Sequence, residues 1–333
     1  MKLQAAIEDF IVSRELDNCT AKTIRVYRDR LRYFSDWLHS AHNIDEVEDI
    51  QLSHLRGWIS HLQKTPSPFG KKHSDESIHS YGQSLLAFCH WLESEEIILK
   101  PITPRFKLPR VEQKFIATFT PQEVDMLFAA CEEGDPLKPD LRKALTSRNH
   151  AILSVLIDAG LRCSELIGLR LGDIDRDLRV LLVHRKGNKW QQVPMSREGF
   201  KALHEYLTKH RPYLLKQDGK TNSQKDDPVF LADDGKPLTV HGISMLFRRL
   251  KKRTGIEGKR VSPHNCRRYM ATMQLAHGRS PLDVQRQMGH TTLVMTNRYA
   301  SLTVKHLQKS HEQHSPLRMK ELDERSGRGY YDE

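Results

Sequence analysis

The stretch RVLLVHRKGNKWQQVP, residues 179–194, is where the chain departs from helical patterning. The periodicity changes here from steps of three and four residues to steps of two, over 179–184 and again over 190–194, which is typical of β-strands. Gly187 and Asn188 lie between these runs and suit a tight turn. The stretch predicts a β-hairpin, so the fold class expected is mainly α (α+β), with a small antiparallel sheet.

Helical patterns fill the first hundred residues. In TAKTIRVYRDRLRYFSDWLHS, residues 20–40, apolar side chains recur at three- and four-residue steps, and Thr20 or Asn18 is the expected N-cap. The Pro/Ser/Gly stretch 65–75 separates two later helices. We therefore expect a four-helix domain over 1–99, with helices also near 3–16, 52–63 and 76–95, and with Arg25, Arg28 and Arg32 on a face poor in acids.

A linker is predicted at 100–114, because KPITPRFKLPRVEQK carries three prolines and no sustained periodicity. The second domain, 115–304, opens with Thr120-Pro121-Gln122-Glu123, a helix N-cap pattern with proline at the first helical position. The polar tail 305–333 is expected to end in disorder. Further helices are predicted over 121–132, 146–159, 196–209, 239–254, 264–277, 281–288 and 292–297.

The net charge of +11 is unevenly distributed along the 333 residues. Residues 1–110 hold 15 basic and 15 acidic side chains, so the excess belongs to the rest of the chain. Residues 241–268 hold nine basic side chains and the single acid Glu257. A polyanionic partner such as nucleic acid is the natural inference, with a solvated basic surface as the alternative. The basic residues assigned to DNA here are Arg248, Arg249, Lys251, Lys252 and Arg268.

Several classes of protein are disfavoured by composition. No apolar run approaches the roughly 18 residues that a membrane span needs. The N-terminal residues 1–16 form an amphipathic pattern that differs from a signal peptide, so we expect a cytoplasmic, nucleoid-associated protein without a membrane partner. The five cysteines are scattered and never spaced as CxxC, which favours neither a disulfide framework nor a zinc site.

Four short stretches contain candidate catalytic residues, each of which has an ordinary structural interpretation when taken alone. Arg162 in AGLRCSELIGLRLGDID, 159–175, could grip a phosphate with its planar fork or simply lie at the surface. Lys186 and Lys189 at the hairpin tip could donate a proton in a DNA groove or be solvated turn residues. In SPHNCRRYMAT, 262–272, and QMGHTTLVMTNRYAS, 287–301, the candidates are His264 and Arg267, three apart on one helical face, and His290 and Tyr299.

The order of these residues changes the interpretation. Arginine, hairpin lysine, His-x-x-Arg, Gly-His and tyrosine, in this order, resemble the tyrosine recombinase (phage integrase) family over essentially the whole chain. The resemblance implies a SAM-like helical core-binding domain followed by a catalytic domain. Three departures from the family pattern are Arg185, where a small residue often stands, Cys266, where leucine is common, and Arg268, where histidine is usual. The implied catalytic residues are Arg162, Lys186, His264, Arg267, His290 and the nucleophile Tyr299, with Glu165 in support.

The family's chemistry implies that the tyrosine attacks a DNA phosphate, forms a 3′-phosphotyrosyl bond and releases a 5′-hydroxyl. No cofactor or metal is implied. Recombination could serve integration, excision, resolution or transposition, with four protomers on paired double-stranded sites, accessory proteins left open and the C-terminal tail docking on a neighbour. The alternatives are relaxation of DNA by a type IB topoisomerase-like enzyme and a DNA-binding protein without cleavage. An architecture of one core-binding domain and one catalytic domain favours an Xer-like or transposon-borne recombinase.

Overall fold

A computed structural model describes residues 1–66, 70–111, 117–132, 138–185, 187–289, 311–312 and 315–318. Within these ranges, no helix is both long and apolar enough to cross a membrane. The contacts of the chain fall into two compact units, Met1–Phe115 and Ile116–Glu333, each with a hydrophobic core of its own.

The first unit is helical, as its apolar periodicity predicts. Thr20 caps the second helix, because its Oγ1 accepts a hydrogen bond from the Thr23 N–H at 3.3 Å. That helix ends at Asn43, whose φ of 54° is the left-handed conformation that commonly closes helices. The helices are α1 Leu3–Leu16, α2 Ala21–His42, α3 Leu52–Lys64 and α4 Asp75–Ser94.

Aromatic side chains dominate the core of this unit. Phe10, Phe88 and Trp58 are all at most 1% exposed, and the rings of Phe10 and Phe88 meet edge to face at 5.5 Å. Phe106 and Leu108, in the predicted linker, pack against the same core. These two residues of the sequence-predicted linker therefore bury apolar surface on the first unit.

The second unit is built from helices around a small sheet. At its start, Thr120 Oγ1 accepts from the Glu123 N–H at 3.2 Å while the Glu123 carboxylate accepts from the Thr120 N–H at 2.7 Å, which confirms the predicted cap. π-helical turns at Val155–Ala159 and Tyr206–His210 extend two of the helices. The helices are α5 Pro121–Ala129, α6 Pro139–Ser154, α7 Cys163–Gly168, α8 Arg197–Glu205, α9 Arg211–Gln217, α10 Val240–Thr254, α11 Pro263–Ala276 and α12 Pro281–Met288.

The sheet contains the predicted hairpin. Its strands are β1 Ile174–Asp175, β2 Val180–Arg185 and β3 Lys189–Pro194, antiparallel in the order β1-β2-β3. Residues 186–188 connect the paired Arg185 and Lys189, and within this connection Gly187 and Asn188 both have positive φ, 84° and 55°, a conformation that glycine and asparagine favour in hairpin turns. The inward positions of β2 are Leu181, Val183 and Arg185.

The predicted fold class is confirmed, while some elements differ from the prediction, and the helix predicted over 292–297 lies outside the described residues. Helix α6 begins at Pro139, seven residues before the predicted 146, because proline suits the first helical turn and Leu141, Ala144 and Leu145 already form an apolar stripe that packs on the core. The helix predicted over 196–209 runs on through a π-helical turn into α9. Strand β1 was not predicted, since two residues are too few to show a period.

Candidate active site

The end of α6 positions Arg162. Gly160 adopts φ 67° and ends the π-helical turn. Arg162 follows two residues later as the N-cap of α7, which begins at Cys163. The Arg162 Nη1 donates to Glu165 Oε1 at 2.7 Å. Its side chain remains 40% exposed, so a phosphate could approach the guanidinium from solvent.

Glu165 joins three arginines. Its side chain is only 4% exposed, and its second carboxylate oxygen accepts from Arg185 Nη1 at 2.7 Å and lies 3.9 Å from Arg267 Nη1. Burial alone would raise the pKa of Glu165. The Arg162 N–H, the charge of Arg185 and hydrogen bonds from Arg162 and Arg185 outweigh burial and lower the pKa instead. Glu165 is therefore a fixed anion at neutral pH.

Arg267 lies beneath the site with its side chain 3% exposed. Its Nη1 donates to the Gly160 carbonyl and its Nη2 to the Met288 carbonyl. These carbonyls belong to the residues two before Arg162 and two before His290 in the chain. Arg267 thus ties together the segments that lead into two other sequence-predicted site residues.

His264 lies in the first turn of α11, after Ser262 caps the helix by accepting from the Asn265 N–H at 3.4 Å. The residue is exposed, yet partial desolvation and the charges of Arg268, Arg267, Arg162 and Arg260 lower the pKa of its imidazole. The neutral ring is therefore the dominant form near pH 7 in the free protein, and a neutral imidazole can accept a proton.

Sequence reasoning missed two residues of this cluster. Arg185, at the end of β2, is 6% exposed and donates through Nε to Gln191 Oε1 at 3.1 Å and through Nη2 to the Gln287 carbonyl at 2.6 Å. Gln287 is 4% exposed and donates to the Asp158 and Ala159 carbonyls at 3.2 and 3.4 Å. The available signal for Arg185 was a charged residue at an inward strand position beside Lys186.

The structure thus brings Arg162, Glu165, His264 and Arg267 together, whereas Lys186, His290 and Tyr299 lie outside the described residues. The described chain on either side of these gaps ends at Arg185 and resumes at Gly187, and ends again at Gly289. Gly289 closes α12 with φ 59°. Fixed guanidinium groups beside a neutral histidine form a setting that can bind a phosphate and move a proton.

The basic residues assigned to DNA are mostly solvent-exposed. On α2, Arg25 and Arg28 form loose ion pairs with Asp29 at 3.7 Å and Glu8 at 3.6 Å. In the second unit, Arg249 and Arg268 are half-buried, and the others stand in solvent. The exposed members are Arg25, Arg28, Arg32, Lys189, Arg248, Lys251 and Lys252.

Comparisons with known proteins give the family of the chain. Residues 117–306 match the model of the phage integrase family. The tyrosine recombinase XerC of Lactobacillus delbrueckii subsp. bulgaricus is 30% identical over 247 residues, 74% of this chain and 79% of that protein. The tyrosine recombinase XerD of Lacticaseibacillus casei is 29% identical over 306 residues, 92% of this chain and 96% of that protein.

Among solved structures, the integrase of the Tn1549 transposon in complex with circular intermediate DNA has a similar fold. Its TM-score is 0.69 at 22% sequence identity, over 94% of this chain and 99% of that chain. The similarity to this solved structure shows the fold, while the family model and the sequence relatives show the family. The chain belongs to the phage integrase family, the tyrosine recombinases that carry out site-specific recombination of DNA.

Proposed function

We propose that Tyr299 is the nucleophile of this recombinase and that Arg162, Lys186, His264, Arg267 and His290 serve its reaction. The observation that supports the proposal is the convergence of Arg162, Glu165, His264 and Arg267 at one place in the second unit, although they come from α7, the turn before it and α11. Arg162 and Arg267, 105 positions apart in the sequence, form one cationic site because Glu165 contacts both of them.

The reaction exchanges one phosphoester for another. The Tyr299 oxygen bonds to the scissile phosphorus, the bond from phosphorus to the 5′-oxygen breaks, and a 3′-phosphotyrosyl linkage holds the cut strand. The tyrosine loses a proton and the departing 5′-oxygen gains one. Attack by the 5′-hydroxyl of another strand on this linkage then rejoins the DNA, so the bond energy is conserved through the exchange.

Each residue has a role that its chemistry suits. A tyrosine with an ordinary pKa of about 10 is a weak nucleophile at neutral pH, so it needs a proton acceptor, and the neutral imidazole of His264 supplies one. Arg162 and His290 donate to the phosphate oxygens as charge develops there, and the charge of Arg267 stabilises them. Lys186 protonates the leaving 5′-oxygen. Glu165 orients Arg162.

The two units would have different functions, one in DNA binding and the other in catalysis. The helices of 1–99 form the core-binding domain, 100–114 the linker and 115–304 the catalytic domain, with a tail over 305–333 that docks on a neighbouring protomer. Four protomers would assemble on paired recombination sites in the nucleoid, for integration, excision, resolution or transposition. Phosphate contacts from the exposed arginines and lysines would orient the duplex in both units.

The test is covalent capture of DNA. The full chain is mixed with genomic DNA of its source organism and stopped with detergent, and DNA that stays attached to the protein is sequenced. A nicked duplex carrying the recovered sequence should then form an adduct with the wild-type chain and none with Tyr299→Phe, which keeps its affinity for that duplex. Tyr269→Phe, at a half-buried tyrosine of α11, is the matched control and should form the adduct. An adduct with Tyr299→Phe would overturn the assignment.

A further inference from the structure

Arg185 is the last inward side chain of β2 before the hairpin tip. Its guanidinium reaches three other elements: Glu165 of α7 at 2.7 Å, Gln191 of β3 at 3.1 Å and the Gln287 carbonyl of α12 at 2.6 Å. All three ends of the planar fork are therefore used. At 6% exposure the group cannot bind DNA in this arrangement, so any influence on the reaction passes through its partners.

The three hydrogen bonds of Arg185 fix the orientation of the end of β2 as well as its position. A guanidinium donates along fixed in-plane directions, so satisfying three acceptors from different elements defines both the distance and the tilt of the strand end. A lysine ammonium could meet one of these acceptors but could not span all three. Lys186 is the next residue along the chain, and the described turn residues Gly187 and Asn188 are exposed.

The end of α12 is fitted to the same side chain. A Cβ added at Gly289 would lie 3.1 Å from Arg185 Nε and 3.2 Å from Gln191 Oε1, which is tighter than ordinary contact. Gln191 also donates to the Arg286 carbonyl of α12. The hairpin and the helix that leads into Gly289-His290 are consequently packed on each other through Arg185 and Gln191.

We propose that Arg185 is a positioning residue: by binding Glu165, Gln191 and the Gln287 carbonyl together, it fixes the end of β2 directly before Lys186 in the chain, so that the proton transfer assigned to Lys186 depends on Arg185. The inference rests on the proposed role of Lys186 as the proton donor. Loss of Arg185 should then impair protonation of the 5′-oxygen more than it impairs DNA binding, because phosphate contacts elsewhere are left in place.

A sulfur substitution in the DNA separates these effects. A 5′-thiolate is a good leaving group without a proton, so a duplex with sulfur at the bridging 5′ position of the scissile phosphate no longer needs the donor. Single-turnover cleavage is measured on the sequence recovered by covalent capture, once with bridging oxygen and once with bridging sulfur. Arg185→Gln should cleave the oxygen duplex about 100-fold more slowly than wild type, as expected for a misaligned catalytic group, and the sulfur duplex within about 3-fold of it.

Two further variants keep the test decisive. Gln191→Ala removes one anchor of Arg185 without leaving a buried charge unpaired, and should show the same sulfur rescue with a smaller oxygen defect, about 10-fold. Arg176→Gln, at an exposed arginine in the turn before β2, should cleave both duplexes at the wild-type rate. If Arg185→Gln does not fold, Gln191→Ala alone decides the proposal.

The outcomes distinguish this inference from the function on which it rests. The role of Arg185 would be overturned if Arg185→Gln cleaved the oxygen duplex at the wild-type rate. It would also be overturned if bridging sulfur restored cleavage by Lys186→Ala but not by Arg185→Gln. If the wild-type chain forms no adduct, or if sulfur fails to rescue Lys186→Ala, it is the proposed chemistry that fails.

Discussion

Arginines in the two units occupy opposite surroundings. On α2 of the first unit, Arg25 and Arg28 are 84% and 45% exposed, and their acidic partners stand 3.7 and 3.6 Å away. In the second unit, Arg185 and Arg267 are 6% and 3% exposed and contact the same carboxylate. The residue type and the acidic partner are alike, and the largest difference is the burial of the side chains.

The difference separates binding from positioning. An exposed pair is screened by water and salt, so it contributes little to stability and its arginine can exchange a carboxylate for a DNA phosphate. A buried guanidinium has lost its hydration and depends on its partners, so removing one of them is strongly destabilising. The arginines of α2 suit reversible contact with DNA, whereas Arg185 and Arg267 suit a fixed scaffold.

The largest effect is expected from Glu165→Gln. The substitution keeps the size of the side chain but removes the negative charge between two buried arginines, and it should destabilise the second unit by about 3–5 kcal/mol. Differential scanning calorimetry of the full chain would show the transition of this unit at a lower temperature. Cleavage of the recovered DNA duplex should fall as well, since Arg162 loses the carboxylate that orients it.

Glu8→Gln is the matched control, because Glu8 is 62% exposed and pairs with Arg28 in the first unit. It should change stability by less than about 0.5 kcal/mol. The contrast between the units would break if the two substitutions had similar effects, or if Glu165→Gln left both transitions where they are in the wild type.

The buried cluster also marks where sequence reasoning stops. The helices and the hairpin were predictable because apolar periodicity, caps such as Thr120 and the Gly187-Asn188 turn are local signals. Glu165 and Arg185 are 20 positions apart, and nothing in either local pattern shows that they meet. The inward position of Arg185 follows Leu181 and Val183, where alternation alone predicts an apolar residue.

Removing the exposed arginines should give the second largest effect, on binding. The triple variant Arg25→Gln, Arg28→Gln, Arg32→Gln should fold with wild-type stability but bind the recovered duplex more weakly. If each arginine contacts a phosphate, the slope of log affinity against log salt should fall by about 3. Titrations at several salt concentrations measure it, and an unchanged slope would remove α2 from the DNA interface.

Acid should loosen the first unit through its histidines. Desolvation, together with the charge of His42 near His54 and of His73 near His61, lowers the pKa of both rings from 6.5. The pKa of each ring is lower in the folded than in the unfolded protein. The contribution of these neutral histidines to the free energy of unfolding is therefore fully present above pH 6.5, and it is lost as the pH falls from 6.5 towards the folded pKa. His61 stacks on buried Trp58 at 5.5 Å, so tryptophan fluorescence during urea unfolding reports the loss.

The control for this dependence is His61→Gln, which cannot be protonated in this range. Its urea midpoint should vary less between pH 7.5 and pH 5.5 than the wild-type midpoint does. An equal variation in both proteins would assign the acid sensitivity to groups other than His61.

The smallest effects test the comparison at the helix caps. Thr120 is part of a reciprocal cap in which Glu123 also pairs with Lys259 at 2.6 Å, and both of those side chains are less than 20% exposed. Thr20 caps α2 at an exposed position through one long hydrogen bond of 3.3 Å. Calorimetry should therefore give about 1–2 kcal/mol for Thr120→Ala and about 0.5–1 kcal/mol for Thr20→Ala. If Thr20→Ala cost more stability than Thr120→Ala, burial of the partner carboxylate would add nothing to a helix cap. The distinction between exposed and buried ion pairs would then hold only for arginine.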